Sequence, residues 1–531
     1  MQKNVRTETR YILVHDLGTT GNKAVIFDEN GNVVASNYRP FKTYYPRPTW
    51  VEQNPMEWWE AVCETTRLVL NESKIPPQNI ACVSFSGQML GAVPVDERGN
   101  LLRSQVMIWC DARSWKQAEK MIEYFGGWEN YYKIMGTGWG PEILPVHKFM
   151  WIKENEPSIY EKTYKFLEAK GFIEYKLTGE FATDHGDASI TGYFDTKKRK
   201  ISNEILEAAG IDFAKIPDVH ESHEVIGYVT EEAARMTGLK VNTPVVVGSG
   251  DGVCACIGAG VIKEGMCYTY IGSANWVGVC TTEPIFNIRV ACNTVLPLSS
   301  GGGPGHELIQ PVSVTAAGGV TQDWLKDVFC DMENYTANKL GVNVYDLMNL
   351  KAMDVPAGCE GLLFLPYLRG GSAPFYDLHS RGAFIGIVMP HQKKHFIRSV
   401  LEGVAFNCRW ILELFENAGI PTFDLGEIRA IGGGVKNRVW MQIFADVLGI
   451  NINALESPQE ATGRGAAFMG GVGVEIWKNY KQAAETLKIA EIIKPNIVNH
   501  EIYKKLFTIF KLAYSDLLQA MKRIAKFQEQ I

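Results

Sequence analysis

The first apolar runs of the chain alternate with polar turns at a spacing that suits a sheet. Tyr11, Ile12, Leu13 and Val14 form one run and Ala24, Val25, Ile26 and Phe27 the next, both rich in aromatic or β-branched side chains. The turn at Glu29, Asn30 and Gly31 supplies residues that tolerate positive φ, so residues 11–36 read as three strands joined by tight turns. At residues 56–70 the period lengthens. Trp58, Trp59, Val62 and Leu68 mark one face of an amphipathic helix, with Asn54 as its N-cap and Pro55 in its first turn. Short β-like runs return at 80–85 and 92–100, and helical spacing at 144–155, where Phe149 and Trp151 are placed in the core. The polar run at 183–189 reads as a solvated loop. Strands alternating with helices predict an α/β architecture.

Three later stretches follow the same plan. Residues 245–259 run from an apolar strand through Gly248, Ser249, Gly250, Asp251 and Gly252 into a helix of small residues, which puts Asp251 at a helix N-terminus. Residues 267–278 form a hairpin with Gly272 and Ser273 at its tip, like the opening one with Gly18, Thr19 and Thr20. Residues 428–442 take a strand through Gly432, Gly433 and Gly434 into a helix with Trp440 and Met441 toward the core. Two hairpins with Gly-hydroxyl tips suggest two related half-domains facing one phosphate chain. Residues 484–531 are Lys-rich and helical in pattern.

Composition narrows the class. A chain of 531 residues with 46% hydrophobic side chains builds more than one core. The net charge of −6 provides no global attraction for nucleic acid or an anionic membrane. Eleven scattered cysteines read as reduced, buried thiols; Cys254 and Cys256 lack the histidine partners of a metal site. The first residues lack the apolar core of a secretion signal, and no run is long enough to span a bilayer.

The candidate chemistry sits at the glycine-rich tips. Asp16 precedes Gly18, Thr19, Thr20 and Gly21. Such a turn aims N–H groups at an anion, and an acid before it suits a shared metal ion; the same pattern also fits an ordinary hairpin tip. Asp251 reads as a helix cap, or as an acid kept ionised by the helix dipole, with glycines clearing room for a ligand. The Gly432 turn is either a tight βα connection or a seat for a base or phosphate. Lys148 and His147, lone on their helix, read as structural.

In this order the motifs resemble the FGGY family of carbohydrate kinases, within the actin, Hsp70 and hexokinase superfamily. Asp16, Leu17, Gly18, Thr19 and Thr20 are similar to its first phosphate motif, Gly272 and Ser273 to its second, and Gly432 to Gly434 with Trp440 and Gln442 to its adenosine motif. Residues 145–155, and 382–387 continued by 395–402, resemble its two signature segments. The resemblance implies two ribonuclease-H-like α/β domains with a catalytic cleft between them. Residues 1–262 would form the sugar-binding domain with the catalytic base and 263–485 the ATP-binding domain. Residues 486–531 would be a helical extension packed on the latter.

Within the family, the sugar-side motifs are most similar to those of the branch that acts on D-xylulose. That branch has Ser-Gly-Gln-Met-His-Gly, Trp-Asn-Asp-x-Arg and Gly-x-x-Asp-Asn; this chain departs at Leu90, Cys110 and Gly252, and departs again over 366–372. The implied activity is transfer of the γ-phosphoryl of ATP, with Mg2+, to a sugar hydroxyl. D-xylulose is the expected acceptor, and ribulose, another pentulose, erythritol or glycerol the alternatives, with a non-catalytic sugar sensor or a chaperone-like ATPase beyond them. The resemblance makes Asp251 the catalytic base and places Gln88, Met89, Leu90, Trp109, Asp111, Asp251 and Gly252 at the sugar. It places Gly18, Thr19, Thr20, Lys23, Gly272, Ser273, Gly318, Gly433, Gly434 and Asn437 at ATP, and Asp16 at the metal. It also implies a cytoplasmic enzyme, a possible homodimer, with no nucleic-acid or membrane partner.

Overall fold

The computed structural model describes residues 9–138, 140–286, 291–299 and 307–528. Its first half is built on strands β1 (Tyr11–Leu17), β2 (Gly21–Asp28) and β3 (Val33–Pro40), the meander expected from the alternating pattern. Helix α1 (Pro55–Ser73) starts where Asn54 caps it, the side chain accepting from the Met56 N–H at 2.9 Å. Strand β4 (Ile80–Gly87) pairs parallel to β1. Helices α2 (Pro145–Asn155) and α3 (Ala169–Thr178) follow, then β5 (Ala182–Asp184), β6 (Val225–Tyr228), β7 (Pro244–Val246), β8 (Ser249–Gly250) and α4 (Asp251–Gly258). The main sheet runs β6-β7-β4-β1-β2-β3, with β8 added beside β4.

The second half repeats this plan. It comprises β9 (Cys267–Ile271), β10 (Asn275–Val279), β11 (Cys292–Ser299), β12 (Glu307–Thr315), α5 (Gly319–Phe329), α6 (Lys393–Asn417), β13 (Glu427–Ile431), α7 (Arg438–Leu448), β14 (Asn451–Leu455), α8 (Ala461–Gly473), β15 (Ile489–Ile493) and α9 (Ile497–Gln528). Its sheet runs β11-β12-β10-β9-β13-β14-β15. From β3 through β6, and from β12 through β15, neighbouring pairs follow one sequence: antiparallel, antiparallel, parallel, parallel, antiparallel. The two hairpin tips therefore occupy equivalent places in two related sheets.

Each sheet has its own core, and a third lies between them, where Val14, Phe27, Val253, Ile257, Phe468 and Met469 pack. There α4 and α8 cross with backbones in contact. A Cβ on Gly258 would lie 1.8 Å from the Ala461 carbonyl oxygen, and one on Gly465 would lie 1.9 Å from that of Cys254. The C-terminal stretch, read as helical throughout, first supplies the edge strand β15 and then α9, whose Tyr503, Phe507, Phe510 and Tyr514 complete the second core. The signature residues Arg398 and Glu402 are bound into this packing: Arg398 donates to Glu402 at 2.7 Å, and the Tyr503 hydroxyl donates to Glu402 at 2.6 Å.

Residues 183–189 are not a solvated loop. They form β5 and the helical turn His185–Ala188, and Asp184 and Asp187 are buried. Local polarity misleads because the compensating charge comes from α3. The buried Lys170 ammonium lies 3.2 Å from Glu174, 3.3 Å from Asp184 and 3.2 Å from Asp187. Trp151 likewise sits at the core margin, edge-on to Trp50 at 5.4 Å. Among the described residues no helix is long and apolar enough to cross a membrane.

Candidate active site

Two carboxylates come close together from different strand ends. Asp16 stands near the end of β1, beside Ser86 on β4 and Lys23 on β2. Asp251 is the first residue of α4, reached through β8, so a helix N-terminus lies at its back. Both are half-buried. Burial, and then the Asp16 carboxylate, push Asp251 up to about 7, against the pull of the Gly252 N–H. Burial likewise raises Asp16, while Thr462 and Lys23 lower it. A half-buried carboxyl group poised near neutral pH, with open space beside it at Gly252, suits a general base.

The surroundings hold these groups in place from across the molecule. The Thr462 hydroxyl donates to Asp16 Oδ2 at 2.9 Å, and Glu460 pairs with Lys23 at 2.5 Å. Tyr268 of β9 donates to the Gly252 carbonyl at 3.2 Å while accepting from Gln310 at 2.7 Å and Trp276 at 3.1 Å. Asp184 accepts from the Ser249 hydroxyl at 2.6 Å and the Ser222 hydroxyl at 2.9 Å, which ties the buried Lys170 cluster to the strand leading into Asp251. None of Thr462, Glu460, Tyr268 and Asp184 carries a local motif. Their only signal is proximity to residues far away in sequence.

The expected sugar-side residues divide into a wall and its supports. Trp109 is 40% exposed, and its indole donates to Thr19 Oγ1 at 2.9 Å. Met89 lies against Gly250, next to the candidate base. A Cβ on Gly252 would meet nothing within 4 Å, so the missing side chain leaves open space there. Gln88 is buried, its amide donating to Gln53 at 2.9 Å. Leu90 is buried in the apolar cluster of Met107, Phe149 and Phe166. Asp111 is fully buried and its oxygens are taken up by protein donors: the Val51 N–H at 2.6 Å, Arg113 Nε at 2.9 Å and Arg113 Nη2 at 2.6 Å. Lys148, read as structural, spans both loops expected on the sugar side, donating to the Leu90 and Ile108 carbonyls at 2.7 Å each. Burial lowers its ammonium to about 7.

Among the residues expected at phosphate, the tips of β1–β2 and β9–β10 present Thr19, Thr20 and Ser273 at least partly open to solvent. The β1–β2 turn is closed by the Gly18 N–H donating to the Gly21 carbonyl at 3.0 Å. Gly318 packs on the second tip, where a Cβ would lie 2.5 Å from the Ala274 carbonyl carbon. Gly432 has φ +92 with Ile271 O 2.6 Å from a Cβ position, so only glycine closes this turn against β9. Gly433 stays exposed and open beside it. Asn437 caps α7 by accepting from the Trp440 N–H at 3.0 Å, and its amide donates to Asn349. Lys23 is engaged by Glu460.

Asp16 fits a magnesium ion by its chemistry. It is an oxygen donor beside a second carboxylate, and its neighbouring cation is already paired. Among the described residues no group of three or more His, Cys, Asp or Glu side chains could hold a metal, so phosphate and water would complete the shell.

Comparison with known proteins identifies the family. Residues 11–258 match the N-terminal domain of the FGGY family of carbohydrate kinases and residues 268–474 its C-terminal domain. The chain is 30% identical to a xylulose kinase of Bacillus subtilis over 521 residues, covering 97% of this chain and 100% of that one. It is 33% identical to a gluconokinase of the same organism, covering 87% of each. A ligand-bound xylulose kinase structure from Lactobacillus acidophilus superposes with a TM-score of 0.85 at 23% identity, covering 97% of this chain and all of that one. With two equivalent α/β sheets, a pair of neighbouring carboxylates and both domains matched, the chain belongs to the FGGY family of carbohydrate kinases.

Proposed function

We propose that this kinase transfers the γ-phosphoryl of ATP to a hydroxyl of D-xylulose, forming xylulose 5-phosphate, with Asp251 as general base. The observation that carries the reading is Asp251 itself. It is half-buried on a helix N-terminus and raised to about 7, and Tyr268 of the second sheet holds the carbonyl of its neighbour Gly252. Asp251 accepts the proton of the attacking hydroxyl as that oxygen adds in line to the γ-phosphorus and the bond to the β-phosphate oxygen breaks. Gln88, Met89 and Trp109 orient the sugar; the N–H and hydroxyl groups of the two tips receive the phosphates; Gly433 and Gly434 border the nucleoside. Magnesium held at Asp16 would supply neutralising charge for the phosphate oxygens. Because the transition state is loose, most of the acceleration comes from positioning and charge.

The open space at Gly252 favours a second reading, a larger polyol acceptor such as an aldonic acid. The similarity to a gluconokinase supports the same reading. ADP release with Mg-ATP across D-xylulose, D-ribulose, L-ribulose, D-gluconate, erythritol and glycerol separates the two. Selective turnover of D-xylulose supports the first reading and selective turnover of D-gluconate the second. Silence with every acceptor from folded protein rejects phosphoryl transfer.

A further inference from the structure

Thr19 is held from the sugar side at both of its polar ends. Its hydroxyl accepts the indole N–H of Trp109 at 2.9 Å, and its carbonyl accepts Gln53 Nε2 at 2.7 Å. An indole N–H only donates, so Thr19 Oγ1 is the acceptor in that bond and its own proton remains for another acceptor. Thr19 stands at the tip of the first hairpin, partly open to solvent, so that proton is free to meet an incoming acceptor. Gln53 is fully buried and saturated. Its Oε1 accepts from Trp58 Nε1 at 3.0 Å and Gln88 Nε2 at 2.9 Å, and its Nε2 also donates to Thr43 Oγ1 at 2.8 Å. Trp58 can only donate and the Thr19 carbonyl can only accept, so the orientation of the Gln53 amide is determined at both ends. The loop carrying Gln88 and the loop carrying Trp109 therefore both end on Thr19.

We propose that Trp109 and Gln53 are positioning residues that couple the acceptor pocket to the phosphate-binding turn through Thr19. This rests on the kinase reading above. An acceptor that packs on the exposed Trp109 ring fixes the indole N–H on Thr19 and so fixes the direction of the Thr19 O–H toward phosphate. The acceptor then raises affinity for the nucleotide, and by linkage the nucleotide raises affinity for the acceptor by the same factor.

The test is calorimetric binding of a non-hydrolysable ATP analogue, with Mg2+, in the presence and absence of the best acceptor from the panel, together with the two KM values. Trp109→Phe keeps an aromatic wall and removes the donor. Gln53→Glu keeps both acceptor contacts and removes both donors, and Thr19→Val removes the hydroxyl. The wild type is expected to show acceptor-enhanced nucleotide binding of about fivefold or more. Each single variant should lose most of that enhancement, with a raised KM for ATP, and Trp109→Phe combined with Thr19→Val should lose no more than either alone. A Trp109→Phe enzyme that changes only the acceptor KM and keeps the enhancement makes Trp109 a pocket wall and overturns the proposal, as does a wild type without enhancement. A wild type that phosphorylates no acceptor overturns the kinase reading first, a result distinct from turnover without coupling.

Discussion

Asp251 carries opposite demands for stability and for chemistry. Its unfolded carboxyl titrates near 3.9, and in the fold it is raised to about 7 by burial and by Asp16. The fold thus favours the protonated form, and this contribution to stability is full below about pH 4 and is lost as pH rises through about 7. Proton acceptance needs the ionised form, so kcat/KM for the acceptor is expected to rise with pH along an acid limb centred near 7; a limb near 4 would mean that the base keeps the ordinary carboxylate range in the working enzyme. Asp251→Asn removes the charge and keeps the shape. Turnover should fall about 10²–10⁴-fold while acceptor binding stays measurable by calorimetry. The same variant should melt higher than wild type at pH 8 and at the same temperature at pH 4; equal melting at both would mean that the carboxylate is not strained in the fold. Asp111 has a different part. Its oxygens accept from Arg113 and the Val51 N–H, which holds the Trp109 loop from behind.

At the scale of elements, helix α3 and strand β5 are joined by charge within an apolar setting. Lys170 on α3 faces Glu174, Asp184 and Asp187, and Asp184 continues to Ser249 ahead of α4. Removing the one cation leaves buried carboxylates facing one another. Lys170→Met is therefore expected to destabilise the first domain by about 3–5 kcal/mol in urea titrations at pH 8. The loss should narrow toward pH 5 as carboxyl groups take up protons; a loss that does not depend on pH would point to lost packing instead. Because the cluster ends on Ser249, surviving Lys170→Met enzyme should also show reduced kcat. The hairpins and the strand–turn–helix at Gly432 were legible from sequence because their turn residues are adjacent and their strand composition is local. The Lys170 cluster was not, since a polar run beside a remote lysine reads the same as one beside water.

At the scale of the whole molecule, the site is assembled by the crossing of α4 and α8 between two similar sheets. Thr462 reaches Asp16, Glu460 reaches Lys23 and Tyr268 reaches Gly252, so the second half holds part of the first half's chemistry. Phosphoryl transfer to a sugar rather than to water requires the cleft to shut around both substrates. Small-angle scattering is expected to show a smaller radius of gyration with acceptor plus a non-hydrolysable ATP analogue than with either alone. No change on double occupancy would mean that the described conformation already is the closed one.

By itself the sequence determined most of the elements, the two Gly-hydroxyl tips, the acid at a helix start and, through the order of its motifs, the family; it missed the strand and helical turn at 183–189 and the edge strand β15. What it did determine is decided by residues within one or two turns of each other, where backbone conformation, capping and period act. The tertiary structure alone decided which groups meet: Asp16 with Thr462 and Asp251, Asp184 with Lys170 and Ser249, Thr19 with Gln53 and Trp109. Hydrogen bonds and charge compensation act through space, and in a buried setting they set protonation and orientation whatever the separation along the chain.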